Sequence, residues 1–382
     1  MRCNSKTCLM GFAFIALCEC AANSAMTFAR PKCLEKSAAF QPSSDAKPLP
    51  EKAIARLFTP KHKGAEQEIH YLAFSNTGQE LISGLAYDIL REHCKTACRW
   101  ETKTWLLSEE SSVGAYSHYF HARGISFDHS VVFEKNDDGK LQLLATKNRK
   151  VLLNLTEKER KEFNGLSADG TIVKLTEIGE EALIFRFVDV ASKSTFGPVT
   201  LDDLHDTYVL SPDRRLLAWN CIDGTVCVAD VKTGKDRFHL KTVEQPRKYG
   251  YPHHRALIFS KNGKYLATWD SYLPYLRVWD VAKRASICTI PAAWMKRVHR
   301  WDGICAEFSP DERTLAIGGD FDGTVTVWEI MTSKQRLTLK GHSRPVTAVT
   351  FSANGELLAT GSDDTTILVW NLIKSKRANG SR

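Results

Sequence analysis

The sequence predicts an all-β fold: a ring of seven four-stranded antiparallel sheets, closed by a strand from the N-terminal side. Three observations predict it. A short motif recurs, its copies are spaced almost evenly, and the last copy lacks an outer strand that residues near position 53 can supply.

The motif is an apolar anchor, usually a serine, a polar turn and then an apolar pair. Read upstream from the C-terminus it is FSANGELLAT from Phe351, FSPDERTLAI from Phe308, FSKNGKYLAT from Phe259 and LSPDRRLLAW from Leu210. Looser copies are LSADGTIVKL from Leu166, FDHSVVFEKN from Phe127 and FSNTGQELIS from Phe74. Successive anchors lie 43, 49, 49, 44, 39 and 53 residues apart, close to the period of four-stranded repeats. In each copy an alternating strand ends on the anchor, a turn of Asn, Asp, Pro and Gly follows, and a second strand begins. Third strands such as TVTVWEI and YLRVWDV, and short fourth strands such as KQRLTLK, RASICTI and KDRFHLK, complete the unit. A sheet this small cannot bury both faces alone, whereas radial stacking buries them.

These residues resemble the WD40-repeat β-propeller family, most closely in the last two copies and over roughly residues 53 to 372. Gly341 and His342 match the family's GH pair, Asp364 its turn aspartate and Trp370 its tryptophan. In the sixth copy His299, Asp322 and Trp328 take the corresponding places; His299 precedes Phe308 by the same nine residues that separate His342 from Phe351. The resemblance implies a buried hydrogen-bonded chain of carboxylate, histidine, hydroxyl and indole, with Thr360 or Ser362 supplying the hydroxyl. Such a chain stabilises only when every member is satisfied. The sixth copy has Gly318 and Asp320 at the hydroxyl positions, so its network is expected to be incomplete. The fourth copy keeps Asp223 but has Ala229 for the tryptophan, and the third has Phe187.

The resemblance also implies a partner-binding face, lined by the loop before each first strand and the turn between the second and third. It assigns Arg300, Trp301, Phe321, Arg344 and Asp363 to that face, with Tyr272 and Tyr275 from the fifth copy. Exposed aromatics and arginine are typical binding hot spots. The alternative is that these side chains cover neighbouring loops.

Composition sets the outer bounds. The chain has 382 residues, 43% hydrophobic and 25% charged, which is globular composition and excludes disorder as the overall state. Its net charge of +8 is spread along the chain, which argues against specific nucleic-acid binding and leaves weak attraction to anionic polymers as a minor reading. The eleven cysteines are too sparse for a disulfide framework. The pairs Cys94 with Cys98 and Cys221 with Cys227 lack a second pair at zinc-site spacing, so the body cysteines read as buried free thiols.

Residues 1–25 carry Arg2 and Lys6, an apolar run from Leu9 to Cys18 and then small residues, the pattern of a signal peptide. Competing readings are a disordered leader or a start at Met26. The run is too short to be a transmembrane segment, and export is marginally preferred over a cytoplasmic location. Residues 26–52 read as a linker, 53–372 as the propeller and 373–382 as a basic tail.

No catalytic constellation emerges. GDFDG at 319–323 suggests a calcium loop, but Met331 stands where an acidic ligand is needed, and Asp322 already has its turn position. His253 and His254 are adjacent and lack a third ligand nearby, GHSRP has no nucleophile elbow around it, and there is no GxxxxGK loop. No metal or cofactor is expected. The leading reading is a non-catalytic, monomeric scaffold binding a protein or peptide on the propeller face. The alternative is a propeller enzyme or cofactor-binding protein with a loop-built axial site, which calls for three or more titratable groups in one axial pocket.

The last element is the closure. GSDDTTILVW at 361–370 supplies the end of a second strand, a turn and a third strand, and NLIKSKRANGSR after it does not continue as a strand. AIARLFTPKHKG at 53–64 resembles QRLTLKGHSRP, a short strand leading into a basic, histidine-bearing loop. Pairing Ala53 to Phe58 beside the strand ending at Trp370 closes the ring and removes an exposed edge.

Overall fold

The structure is a computed structural model. It describes residues 48–373 except 59–67, 76–77, 87–95, 113–130, 137, 146, 167–169, 180–181, 202–207, 222–224, 242–253, 271–272, 274, 292–303 and 319–321. All the described residues belong to one unit, Ala46–Arg382.

Their strands form seven antiparallel sheets, six of four strands and one of three, as a seven-bladed propeller. The first sheet holds Glu68–Phe74, Glu80–Ala86, Thr96–Glu101 and Leu107–Ser112; the second holds Val131–Lys135, Leu141–Ala145 and Val151–Asn154. The third is Phe163–Leu166, Ile172–Ile178, Leu183–Asp189 and Thr195–Leu201, and the fourth is Tyr208–Leu210, Leu216–Asn220, Val226–Asp230 and Asp236–Leu240. The fifth is His254–Phe259, Tyr265–Asp270, Tyr275–Asp280 and Ala285–Pro291, and the sixth is Cys305–Phe308, Thr314–Gly318, Thr324–Glu329 and Lys334–Lys340. The seventh joins Val346–Phe351, Leu357–Ser362 and Thr366–Asn371 to Ala53–Phe58. First strands of the fourth, fifth, sixth, seventh and first sheets adjoin one another in turn, so these sheets run outward from the axis.

The serine of the motif has a definite task. In the first, fourth, fifth, sixth and seventh sheets its hydroxyl accepts a hydrogen bond from the amide five residues later: Glu80 to Ser75, Leu216 to Ser211, Tyr265 to Ser260, Thr314 to Ser309 and Leu357 to Ser352, at 2.9 to 3.1 Å. The backbone of the same serine donates to the same residue's carbonyl. A small hydroxyl therefore closes the first hairpin from within, and in the fourth to seventh sheets Asp or Asn two residues on accepts from it, as Asp311 does from Ser309 at 2.6 Å. The turn needs a left-handed residue three places after the serine; Gly355 fills it in the seventh sheet with φ +72°.

Buried side chains are shared between sheets rather than kept within them. Separate apolar clusters join the second sheet to the third, the third to the fourth, and onward around the ring to the seventh and first. The third and fourth are also tied by Arg214 to Asp189 at 2.7 Å, and by buried Lys174, whose ammonium lies over the Tyr208 ring and bonds its hydroxyl. Where the seventh meets the first, Gly361 lies against Ile69 and Leu72 with no room for a Cβ.

The ring is closed by the N-terminal strand. Ala53 pairs with Trp370, Ala55 with Val369, Arg56 with Leu368, Leu57 with Ile367 and Phe58 with Thr366, with a bulge at Ile54. Asn371 N–H donates to the Lys52 carbonyl at 3.0 Å just beyond the paired strand. Alternation points Ala55 and Leu57 into the joint with the first sheet, where they pack with Ile69, Leu72 and Leu81.

Three features differ from the sequence reading. Phe127 lies outside the described residues, but the hairpin of the second sheet turns at Asn136–Lys140, so that copy's strand ends at Lys135 and not near Phe127. Asn136 replaces the serine there, accepting from Lys140 N–H at 2.8 Å through its side chain. A short helix, Glu157–Glu162, precedes the third sheet; its capping box between Thr156 and Glu159 is written in TEKE. Finally, Cys98, Cys288 and Cys305 keep their thiols, but Cys221 and Cys227 form a disulfide. The hairpin register sets those two diagonally on one face of the fourth sheet, which residue spacing does not reveal.

Removing residues 1–52 is expected to leave thermal stability nearly unchanged, whereas removing 1–60 should lower the melting temperature sharply or yield insoluble protein. Equal melting temperatures for the two truncations would refute the closure.

Candidate functional site

The loop before the seventh sheet is built from the inside out. His342 is buried, with its Nδ1 3.1 and 3.2 Å from the two Asp364 oxygens and its Nε2 2.8 Å from Thr360 Oγ1. Trp370 Nε1–H donates to the same hydroxyl at 2.9 Å. A proton on Nδ1 satisfies every link: indole to hydroxyl, hydroxyl to Nε2, and Nδ1–H to carboxylate. Asp364 also accepts from Ser343 N–H, Thr366 N–H and Thr366 Oγ1. Burial works against its ionisation, but the hydrogen bond from His342, reinforced by those from Thr366 and Ser343, holds its carboxyl well below the usual carboxylate range.

Thr360 therefore sits at the centre of this chain. Ser362 does something else: its hydroxyl donates to the Arg344 carbonyl at 3.1 Å and accepts from Asp364 N–H at 3.0 Å. Both flanks of Arg344 are thus held to the sheet, and its side chain is exposed.

In the sixth sheet His299 lies outside the described residues. Asp322 accepts from Thr324 N–H at 2.9 Å, and Trp328 Nε1–H turns to Thr326 of its own strand at 3.0 Å. The register corrects the alignment there. Thr360 faces Leu368, two residues before Trp370, and the residue facing Thr326 two before Trp328 is Ile317, not Gly318. Ile317 has no hydroxyl to offer.

Sequence reasoning missed two indole pairs. Trp279 donates to Thr268 at 2.9 Å and Trp100 to Ser83 at 3.1 Å. Each hydroxyl again faces the residue two before the tryptophan, so the signal was a Ser or Thr in that diagonal register. In the fourth sheet the bulk is exchanged: Ala229 takes the tryptophan position, and Trp219 on the second strand faces Cys227, two residues before it.

Of the residues assigned to the binding face, Arg300, Trp301, Phe321 and Tyr272 lie outside the described residues. Asp363 is corrected: it is only 3% exposed, its N–H donates to the Pro345 carbonyl, and it offers no side chain to a partner. The tight turn folds it beneath the loop instead of outward. Tyr275 is half-buried at the start of a third strand, with the Arg277 guanidinium 4.9 Å above its ring and bonded to its hydroxyl.

A cavity of about 370 Å³ lies where the first strands of five sheets converge. Phe74, Phe259, Phe308 and Phe351 line it, with Lys261, Glu307 and Thr350. Four of the motif's anchors, from the first, fifth, sixth and seventh sheets, thus give the cavity an aromatic lining. Burial pushes the Glu307 carboxyl up to about 8, despite hydrogen bonds from Thr350 and the Phe351 backbone and the nearby Lys261 charge.

The family model for the WD domain, G-beta repeat, matches residues 296–329 and 333–371. The chain carries WD40 repeats. Over 119 residues it is 31% identical to Periodic tryptophan protein 2 of Arabidopsis thaliana, covering 31% of this chain and 12% of that protein. It is 40% identical over 73 residues to Small ribosomal subunit protein RACK1y of Oryza sativa subsp. japonica, covering 19% of this chain and 22% of that one. Target of rapamycin complex subunit wat1 of Schizosaccharomyces pombe is 32% identical over 123 residues, covering 32% and 34%. The WD40 match therefore spans only about an eighth to a third of the length of these relatives.

Thr360→Val keeps the shape but strands Trp370 Nε1–H and His342 Nε2; denaturant unfolding should show a loss of about 1–3 kcal/mol. Glu307 has a folded value above its unfolded one, so the folded state holds a proton that the unfolded state has lost between pH 4.5 and about 8. Stability is expected to fall as pH rises through that window, and Glu307→Gln should flatten the profile. Parallel profiles for the two proteins would show that Glu307 does not titrate in this way.

Proposed function

We propose that this WD40 propeller is a non-catalytic scaffold that binds a protein or peptide partner on the face carrying the Gly341–Pro345 loop. The observation that carries the reading is the exposed Arg344, presented by a loop whose two sides are anchored through His342–Asp364 and Ser362. A loop already held in one shape loses little entropy on binding, and arginine is a frequent hot-spot residue. Trp301 and Phe321, assigned by position to the same face, would supply the apolar part. Two of the relatives are named as parts of assemblies, a ribosomal subunit protein and a complex subunit, which supports an interaction role for this chain.

The reading of an axial reaction centre receives less support. Among the described lining residues of the axial cavity, Lys261 and Glu307 are titratable, fewer than the three convergent groups that such a centre calls for. Among the described residues no helix is long and apolar enough to cross a membrane.

The test is affinity capture with the wild-type chain as bait beside Arg344→Glu and Trp301→Ala. A partner retained by the wild type and lost from Arg344→Glu, with unchanged melting temperature, supports this face. Equal retention by all three baits would move the binding surface elsewhere.

A further inference from the structure

The hairpin end of the fourth sheet gathers three soft ligands on one face. Cys221 follows the second strand, with its N–H bonded to the Thr225 carbonyl at 2.9 Å. Cys227 lies in the third strand, between Trp219 on one side and His239 of the outer strand on the other. Because residues facing each other across a ladder share a face, and alternate residues do too, Cys221, Thr225, Cys227 and His239 all project to the same side. The two sulfurs and one imidazole nitrogen lie within 4.8 Å of one another. His239 Nδ1 is 3.4 Å from Cys227 Sγ and 3.4 Å from Thr225 Oγ1. Cys227 is buried, Cys221 half-buried and His239 exposed, so the group has a closed floor and an open mouth.

We propose that the reduced Cys221–Cys227 pair, together with His239, binds one thiophilic divalent cation of the Zn²⁺ type, and that the disulfide is the metal-free alternative state of the same site. The chemistry favours zinc over calcium or magnesium, because two thiolates and an imidazole are soft or borderline ligands. Two thiolates and a neutral imidazole cancel the ion's charge. Metal bonds of about 2.0–2.3 Å place neighbouring ligand atoms about 3.5 Å apart, which small side-chain rotations reach from the present cluster. The hairpin holds the two cysteine Cα atoms 6.0 Å apart. Three protein ligands leave a fourth position for water.

Opening the disulfide takes two electrons and two protons and yields two thiols; a phosphine in water supplies them and ends as its oxide. Zinc then displaces the two thiol protons as it binds. Oxidation by a small-molecule disulfide reverses the process: the two thiolates give up two electrons as their sulfurs rejoin, the metal leaves, and the oxidant takes those electrons and two protons from water to become two thiols.

The experiment uses the full chain, reduced with a phosphine, freed of reductant without air and titrated with Zn²⁺ against a chromogenic chelator; Co²⁺ serves as a spectroscopic probe of thiolate ligation. With eleven cysteines in the chain, the readout is the difference between wild type and variants. A Cys221→Ser, Cys227→Ser double variant is expected to bind one equivalent fewer and to lose that share of the thiolate–cobalt absorption. His239→Ala should weaken the same equivalent by about tenfold or more, since even supporting groups around a metal ligand are worth that much. Unreduced wild type should lack it. Equal stoichiometry for wild type and double variant overturns the site, as does unchanged affinity in His239→Ala. Should the double variant fail to fold, His239→Ala alone decides, because that side chain is exposed.

Discussion

Everything in this ring depends on one antiparallel pairing, Ala53–Phe58 against Thr366–Asn371. Without it the third strand of the last sheet is an open edge, and open edges recruit other strands. The joints between successive sheets bring together residues about 45 positions apart, whereas this pairing reaches across about three hundred. Loop-closure entropy grows only logarithmically, so the longer span costs about 1.7 kcal/mol more than an ordinary joint. Burying one leucine contributes about 1.5–3 kcal/mol. Leu57, packed in the joint with the first sheet, is enough to offset the difference.

Polar groups then specify what the apolar joints leave free. Apolar clusters between sheets are non-directional and would tolerate small slips. The motif's serine is directional: in five sheets it closes the first hairpin from the inside and sets where the second strand starts. The indole–hydroxyl pairs of the first, fifth and seventh sheets do the same for the second and third strands, each on the same diagonal. Only in the seventh sheet do the described residues extend that pair through a histidine to a carboxylate, and there the chain reaches the surface loop that presents Arg344. A redox-sensitive metal site at the far side of the ring would add a second functional locus on the hairpin end of the fourth sheet, where the tryptophan position is taken by Ala229.

The repeat grammar was legible because it is local. Phe351 with Ser352, or Phe308 with Ser309, states a strand end and a turn within four residues, and regular spacing multiplies the signal. The closing strand was legible for the same reason, since AIARLF matches the fourth strands of other copies. The second copy was misplaced because Asn136 replaces serine and a lysine replaces the aromatic anchor, leaving the turn chemistry without its usual apolar marker. Ile317 was missed for a subtler cause: the sixth sheet has one more residue between anchor and tryptophan, so counting back from Trp328 lands on Gly318 while the ladder lands one residue earlier.

By itself, then, the sequence determined the period, the number of sheets, the identity of the closing strand and the carboxylate, histidine and indole of the last sheet's polar chain. These follow from turn residues and alternation, which act over a few neighbouring positions. Tertiary structure alone decided which side chains meet across strands: that Thr360 and not Ser362 bridges His342 and Trp370, that Asp363 turns inward, that Glu307 enters an aromatic axial cavity, and that Cys221, Cys227 and His239 share one face. Those outcomes depend on ladder register and on the packing of one sheet against the next. A shift of a single residue reverses the face on which every side chain appears.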